Sequence, residues 1–357
     1  MKKYLIIPFA ISLNILANDS VAAQFDGLPT TKRVERFFDI VEKLDLTAAK
    51  VGDGNGGISV DLAYEANVED RKVIGNFLSR NRRDKKGDNG TGNPEGHIVS
   101  FNLARVLGVS DIYSTGVWYQ IKDSVVESLH QIAVSAKGRG SARLENRNRV
   151  LQNTTASNGV YPAIYGSLSV YLEKKWTVVQ VAGSPLERPN LSPNGVANES
   201  NPLIQIIMGR RPMPQEHEMI KVQTEKGGVV SINALQAAKD LSAIFLIDAI
   251  MEQGDRFSGS NFDLLKMPDG SFRIASLDNG AAGVPGYFTS YTTKYLKWIH
   301  FVDHTVLEQL LELDRFLQKG GKFLGFTNQA QFLEALGLRL FQKSFVRNVH
   351  RAATQLR

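Results

Sequence analysis

Along the first half of the chain the spacing of apolar residues switches between the helical and the strand period. Val34, Phe37, Phe38, Ile40, Val41, Leu44 and Leu46 fit one helical face, which predicts a helix over residues 31–49. Residues 58–64 and 71–78 read as strands. Ile98, Phe101, Leu103, Val106 and Leu107 again mark one helical face, opened by Pro94 and stopped by Gly108. Residues 113–121 read as a strand, 124–136 as a helix and 165–176 as a further strand. From 182 to 209 the chain is rich in Pro, Asn, Ser and Gly and reads as a long loop, either disordered or an elaboration of one lobe.

The second half is organised around one stretch. An apolar helix over 232–251, most continuous from Ala237 to Met251, runs into a glycine-flanked loop that carries Asp255 and then Asn261. Two apolar-rich runs, 262–266 and 272–277, flank Met267-Pro268-Asp269-Gly270 and predict a hairpin. A second acid, Asp278, follows directly and precedes Asn279-Gly280. Residues 284–293 read as an activation-like or substrate-facing loop, and helices rich in Leu, Phe and Trp are predicted over 293–318 and 328–356.

An Asp-Asn-Gly triplet alone is an ordinary turn signal. Two acid-bearing loops joined by a hairpin behind an apolar helix suit phosphoryl transfer better. One carboxylate then orients or deprotonates an attacking hydroxyl, and the second, with a nearby amide or acid, holds the divalent ions that neutralise phosphate charge. The glycine-rich run 52–57 lies ahead of a predicted strand, where backbone N–H groups can approach phosphates closely. His300 and His304 are spaced i, i+4; without an acidic helix motif beside them they read as structural.

Composition narrows the field. The chain has 357 residues, 43% hydrophobic and 22% charged, enough for one large or two small packed domains. Residues 1–23 combine Lys2-Lys3, an apolar run over 4–17 and Val21-Ala22-Ala23 before Gln24, the pattern of a secretory signal peptide. No later stretch is apolar enough to span a bilayer, so no stable membrane insertion is expected. The absence of cysteine excludes disulfides, thiol nucleophiles and thiolate zinc sites. A net charge of +6 suits phosphates, acidic proteins or anionic surfaces. The basic runs at 80–86 and 137–149 lack interleaved aromatics, so nucleic acid is not an expected partner.

The two acid loops resemble those of the secretory-pathway kinases, the Golgi casein kinase and its xylosylkinase relatives, which read roughly G-N-x-D-R-H and L-D-N-x-x-x-F-G. A weaker likeness extends to phosphoinositide-type and toxin-type kinases. The resemblance spans roughly residues 56–298 and implies an α+β, two-lobed atypical protein-kinase-like fold. A helical segment at 24–49 would precede a small β-rich N-lobe at 50–175, with an insertion at 137–159, and a larger, mainly helical C-lobe at 176–357. It implies ATP with Mg²⁺ or Mn²⁺ as cofactors and Asp255 as the catalytic acid, with Arg256 either stabilising phosphate charge or bracing the loop. Asp278 would be a metal ligand, joined by Asn261 or, because this loop is one residue longer than the family's, by Ser260. Gly56 and Gly57 match a Gly-Gly before a small-lobe strand. Residues 95–108 are similar to the family's A-E-x-A-A-F-H-L-D-R-x-L-G-F, which places Glu95 at the helix glutamate; the alternative is a carboxylate that complements a helix N-terminus. Leu172 and Glu173 would lie where the hinge backbone meets adenine.

Two positions depart from the family. Phe257 replaces a histidine, and Asn76 stands where the nucleotide-binding lysine belongs, leaving Lys72, Arg80 or Lys122 to meet the phosphates. The expected function is transfer of the ATP γ-phosphate to a protein Ser/Thr or a sugar hydroxyl. The alternatives are a pseudokinase binding module and nucleotidyl transfer on the same fold. With the signal peptide, this points to a secreted bacterial effector, in the periplasm in transit, then acting in a host where an activator is a further expected partner.

Overall fold

The computed structural model describes residues 27–44, 50–53, 61–69, 71–79, 93–121, 164–188, 196–254, 256–257, 261–277, 279–280, 282, 295–339 and 341–357. Outside the described residues lie the signal-like segment 1–23, Gly56, Gly57, Arg80, Lys122, the expected helix 124–136, the insertion 137–159, both basic runs, Asp255, Ser260, Asp278 and the loop 284–293.

The described chain is mixed α+β. Helix α1 (Lys32–Lys43) is capped by Thr31, whose hydroxyl accepts from the Val34 N–H, and it buries Val34, Phe37 and Val41. Strands β1 (Lys50–Asp53), β2 (Asp61–Val68), β3 (Arg71–Ser79), β4 (Val117–Ile121) and β5 (Ile164–Val170) form an antiparallel sheet in the order β1-β2-β3-β5-β4. Helix α2 (Pro94–Val106) lies between β3 and β4 in sequence and is buried over nearly its whole length. Its polar residues survive there because they are bonded. Asn102 Nδ2 donates to Leu336 O, and Arg105 donates to Leu28 O, Pro29 O and Asn102 Oδ1. Burial brings the Arg105 guanidinium down to about 10.

Three expectations need correction. Residues 113–121 are not one strand: a 3₁₀ turn over Ser110–Ile112 and an isolated bridge from Tyr113 to Ser276 precede β4. Thr115 interrupts the extended run because its hydroxyl both donates to Val170 O and accepts from Val170 N–H, doing the work of a neighbouring strand. Residues 165–176 divide into β5 and β6 (Lys175–Val181), joined by a linker, Tyr171 to Lys174. In the described parts of 182–209, β7 (Glu187–Arg188) pairs with β8 (Val196–Ala197), and α3 (Pro202–Ile207) follows. Asparagine builds this order: Asn201 Oδ1 accepts from Leu203 and Ile204 N–H groups while its Nδ2 donates to the Val181 and Ser184 carbonyls.

The second sheet runs β10-β9-β6-β11-β12, all antiparallel. Its β9 (Met219–Thr224) and β10 (Val229–Asn233) make a hairpin that the sequence reading did not anticipate. β11 (Phe262–Lys266) and β12 (Phe272–Ser276) are the predicted hairpin. Helix α4 (Ala234–Met251), capped by Asn233, is buried on nearly all sides and packs on β12. Its Asp240 takes a bidentate pair from Arg273 and also accepts the Ile274 N–H on the outer edge of β12. Helices α5 (His304–Lys319), α6 (Gln329–Ala335) and α7 (Gln342–Leu356) complete the described fold. Among the described residues no helix is long and apolar enough to cross a membrane.

Candidate functional site

The hairpin brings its two flanking loops together. Phe262 pairs with Ser276, and Leu277 N–H then donates to Asn261 O at 3.1 Å, so the chain entering β11 and the chain leaving β12 share one edge. Into this junction comes Arg256, with 0% of its side chain exposed. All five of its N–H groups are donated within the protein. Nε and Nη2 grip Asp248 as a fork at 2.8 and 2.9 Å, Nη1 reaches the Asn261 and Leu277 carbonyls at 2.9 and 2.6 Å, and Nη2 reaches Asn279 Oδ1 at 2.6 Å. One side chain thus ties the end of α4, the mouth of the hairpin and the segment beyond β12, and its planar fork suits that task better than a lysine would. Burial pushes the Asp248 carboxyl above the ordinary carboxylate range, and the Arg256 charge pulls it back.

Phe257 has a physical role here. It is buried among Phe245, Phe262 and Tyr295, with ring centroids 5.4 to 5.7 Å away, so the loop after Arg256 is held by an aromatic cluster. At the start of this loop, Glu252 adopts a left-handed conformation at φ 53, and Asn348 bridges Ile250 O and Glu252 Oε1.

Helix α2 grips the other loop. Asn93 N–H donates to Gly280 O at 2.7 Å and Asn93 Nδ2 donates to Ala282 O at 2.8 Å. Gly96 is required at this approach: a Cβ there would run into the Ala282 carbonyl. Asn279 is therefore held by Arg256, and Gly280 and Ala282 by Asn93 at the start of α2. Ser276 Oγ adds a further donor to Asn279 Oδ1 at 2.8 Å, while Asn279 Nδ2 is buried without a partner.

No family model and no curated protein matches this chain. The site is read from its own residues.

The other predicted residues fall as follows. Asn261 is buried, and its carbonyl is taken up by Arg256 and Leu277. Glu95 sits in the first turn of α2, buried, and accepts the Arg339 N–H at 2.6 Å, which ties α2 to the segment between α6 and α7. Lys72 is exposed on β3, where Asn76 pairs with Ala63 and Ser169. Leu172 is buried in the linker. The Glu173 carboxylate is held by Arg33 of α1, at 2.9 and 3.1 Å. His304 lies at the surface 3.5 Å from Glu308, and the His300 N–H donates to Ile207 O.

Sequence reasoning passed over Asp248, Asn279, Asn93 and Arg33. Asp248 left a signal: it is an acid near the end of an otherwise apolar helix, which must be paired to be buried. A small cleft opens at the linker, lined among others by Arg33, Tyr113, Glu173, Lys175, Leu265 and Leu277. On the sheet face that Lys175 and Leu265 share, Asp263 is 1% exposed, and neither of its oxygens has a hydrogen-bond partner. Lys175 Nζ lies 3.3 Å away and also over the Tyr171 ring. Burial raises the Asp263 carboxyl despite that neighbouring charge.

Proposed function

We propose that the protein is an exported kinase-type phosphotransferase that moves the γ-phosphate of ATP to a hydroxyl of a protein Ser/Thr or a sugar. The observation that carries this reading is the Arg256 junction, which joins Asp248 near the end of α4 to Asn261, Leu277 and Asn279 on either side of the β11–β12 hairpin, the sequence neighbourhood of the two candidate acids. The order β1-β2-β3-β5-β4, with α2 between β3 and β4, supports it, since protein kinases place the nucleotide lysine on the third strand and its glutamate on the helix that follows.

In this mechanism Asp255 takes the proton of the acceptor hydroxyl as the new O–P bond forms. The bond between the γ-phosphorus and the bridging oxygen breaks, and ADP leaves. Asp278 with Asn261 offers oxygen ligands suited to Mg²⁺ or Mn²⁺, which would neutralise phosphate charge. Arg256, with every N–H engaged, braces the loops.

A specific observation favours a second reading, a non-catalytic binding module. Asn76 occupies the third strand at the lysine position, and Glu95 accepts a backbone N–H from Arg339. Thermal shift with ATP and either ion, beside an Asp278→Ala variant, separates the two. A metal-dependent rise in melting temperature that the variant loses supports the phosphotransferase; no rise with either ion favours the binding module. Label from γ-labelled ATP on an acceptor then marks a kinase, and label from α-labelled ATP marks nucleotidyl transfer. Export is tested by N-terminal sequencing of secreted chain: a start near Gln24 supports it, and retention of the whole chain in the periplasm sinks the effector reading.

A further inference from the structure

Helix α1 connects to the Arg256 junction through Arg33. Arg33, near the start of α1, donates Nε and Nη2 to the two oxygens of Glu173 in the linker, and Nη1 to Ser110 O at 2.9 Å and Tyr113 O at 3.1 Å. The guanidinium therefore fastens the linker between the two sheets to the connection between α2 and β4. That connection is itself attached to β12: Tyr113 forms a parallel bridge to Ser276, and both the N–H and the hydroxyl of Ser114 donate to Ser276 O, at 3.3 and 3.2 Å. Ser276 Oγ then donates to Asn279 Oδ1, the atom that also receives Arg256 Nη2. Hydrogen bonds thus lead from Arg33, oriented by Glu173, to Tyr113, from the Tyr113–Ser114 segment to Ser276, and from Ser276 to Asn279 at the Arg256 junction.

The anchoring of α1 makes it a firm support for this series. Phe37 packs edge-on against Phe101 of α2, Thr31 Oγ1 donates to Asp111, and Arg105 bonds the Leu28 and Pro29 carbonyls. Arg33 and Glu173 are 11% and 9% exposed, so their fork is little diluted by water.

We propose that Arg33, held in place by Glu173, is a positioning residue for the Arg256 junction between the chain after α4 and the chain after β12, acting through Tyr113, Ser114 and Ser276. A partner that competes for Glu173 or lifts α1 would loosen the loops from a distance. For its bearing on catalysis the proposal rests on the phosphotransferase reading; the coupling itself does not.

The test uses the full chain labelled with ¹⁵N-arginine. The Nε–H resonance of Arg256, identified by its loss in Arg256→Lys, reports the pin directly. Arg33→Ala and Glu173→Gln should shift it and raise its solvent-exchange rate at least about fivefold, the lower end of coupling between linked sites. Arg33→Lys, which keeps charge without the fork, should fall between. Val306→Ala, a cavity in α5 away from the series, controls for lost stability and should leave the resonance in place. An unchanged exchange rate in Arg33→Ala or, should that variant not fold, in Glu173→Gln overturns the proposal. A second arm measures the ATP and Mn²⁺ thermal shift. If the wild-type chain shows none, the phosphotransferase reading fails while the resonance still decides the coupling. A wild-type shift that Arg33→Ala leaves intact removes the catalytic bearing alone.

Discussion

Arg33 and Arg256 perform the same operation in different surroundings. Each clasps a carboxylate with a forked guanidinium and gives its Nη1 donors to two backbone carbonyls, and each joins segments far apart in sequence. Arg256 does so wholly enclosed beside a carboxylate that is 1% exposed, whereas the Arg33 pair retains a narrow contact with water. The difference governs what is lost on removal. Water can re-solvate Glu173; it cannot reach Asp248 without opening the core.

The comparison therefore predicts a graded series. Arg256→Ala leaves the buried Asp248 carboxylate without its cation and removes donors from three further acceptors, and should cost about 3–5 kcal/mol in urea unfolding, enough to abolish the fold in a marginal domain. A loss under about 1 kcal/mol would show that the junction is not closed to water. Arg33→Ala should cost about 1–2 kcal/mol, since the Glu173 carboxylate it leaves keeps some contact with water; a loss equal to that of Arg256→Ala would erase the distinction.

Asp263 sharpens the comparison as a buried acid whose cation stands near but outside hydrogen-bond geometry. Its folded-state pKa is raised, so at low pH it is protonated in both states and costs nothing. As pH climbs past the ordinary carboxylate range the unfolded chain sheds the proton first, and stability falls until the raised value is passed. Asp263→Asn should then gain about 1 kcal/mol at neutral pH and nothing near pH 3, read from unfolding curves at both. A loss at neutral pH would mean that Lys175 neutralises it fully. At the exposed extreme, Lys43 bridges Asp39 and Glu69 at 2.8 Å each, with all three side chains more than 40% exposed. Lys43→Gln should leave the melting temperature unchanged, and a clear drop would break the rule that burial sets the scale.

Much of this arrangement was legible in the residues. The hairpin at 262–277 was, because its strands are rich in apolar and β-favouring residues on either side of a Pro-Asp-Gly turn. So was α2, because its apolar face is bracketed by Pro94 and Gly108. The β9–β10 hairpin was not: its burial alternates, but Met219 and Val229 put apolar residues on the open face at 56% and 60% exposure and blur the pattern in the sequence. Order in the 182–209 segment was missed because Asn198 and Asn201 substitute side-chain hydrogen bonds for a core, and their composition is that of a loop. At the site, the position of the hairpin and its flanking loops could be read, but the polar groups that join them could not. Arg33 meets Glu173 across 140 residues and Glu95 meets Arg339 across 244, distances at which no local spacing carries information.

Asp240 closes the outer edge of β12 with a side chain. Its carboxylate occupies the Ile274 N–H that another strand would otherwise take, so the sheet cannot lengthen on that flank while α4 stays docked. Heating that frees α4 would expose a hungry β-edge carrying Phe272 and Ile274, and aggregation should set in with the loss of that helix rather than with fraying of the termini.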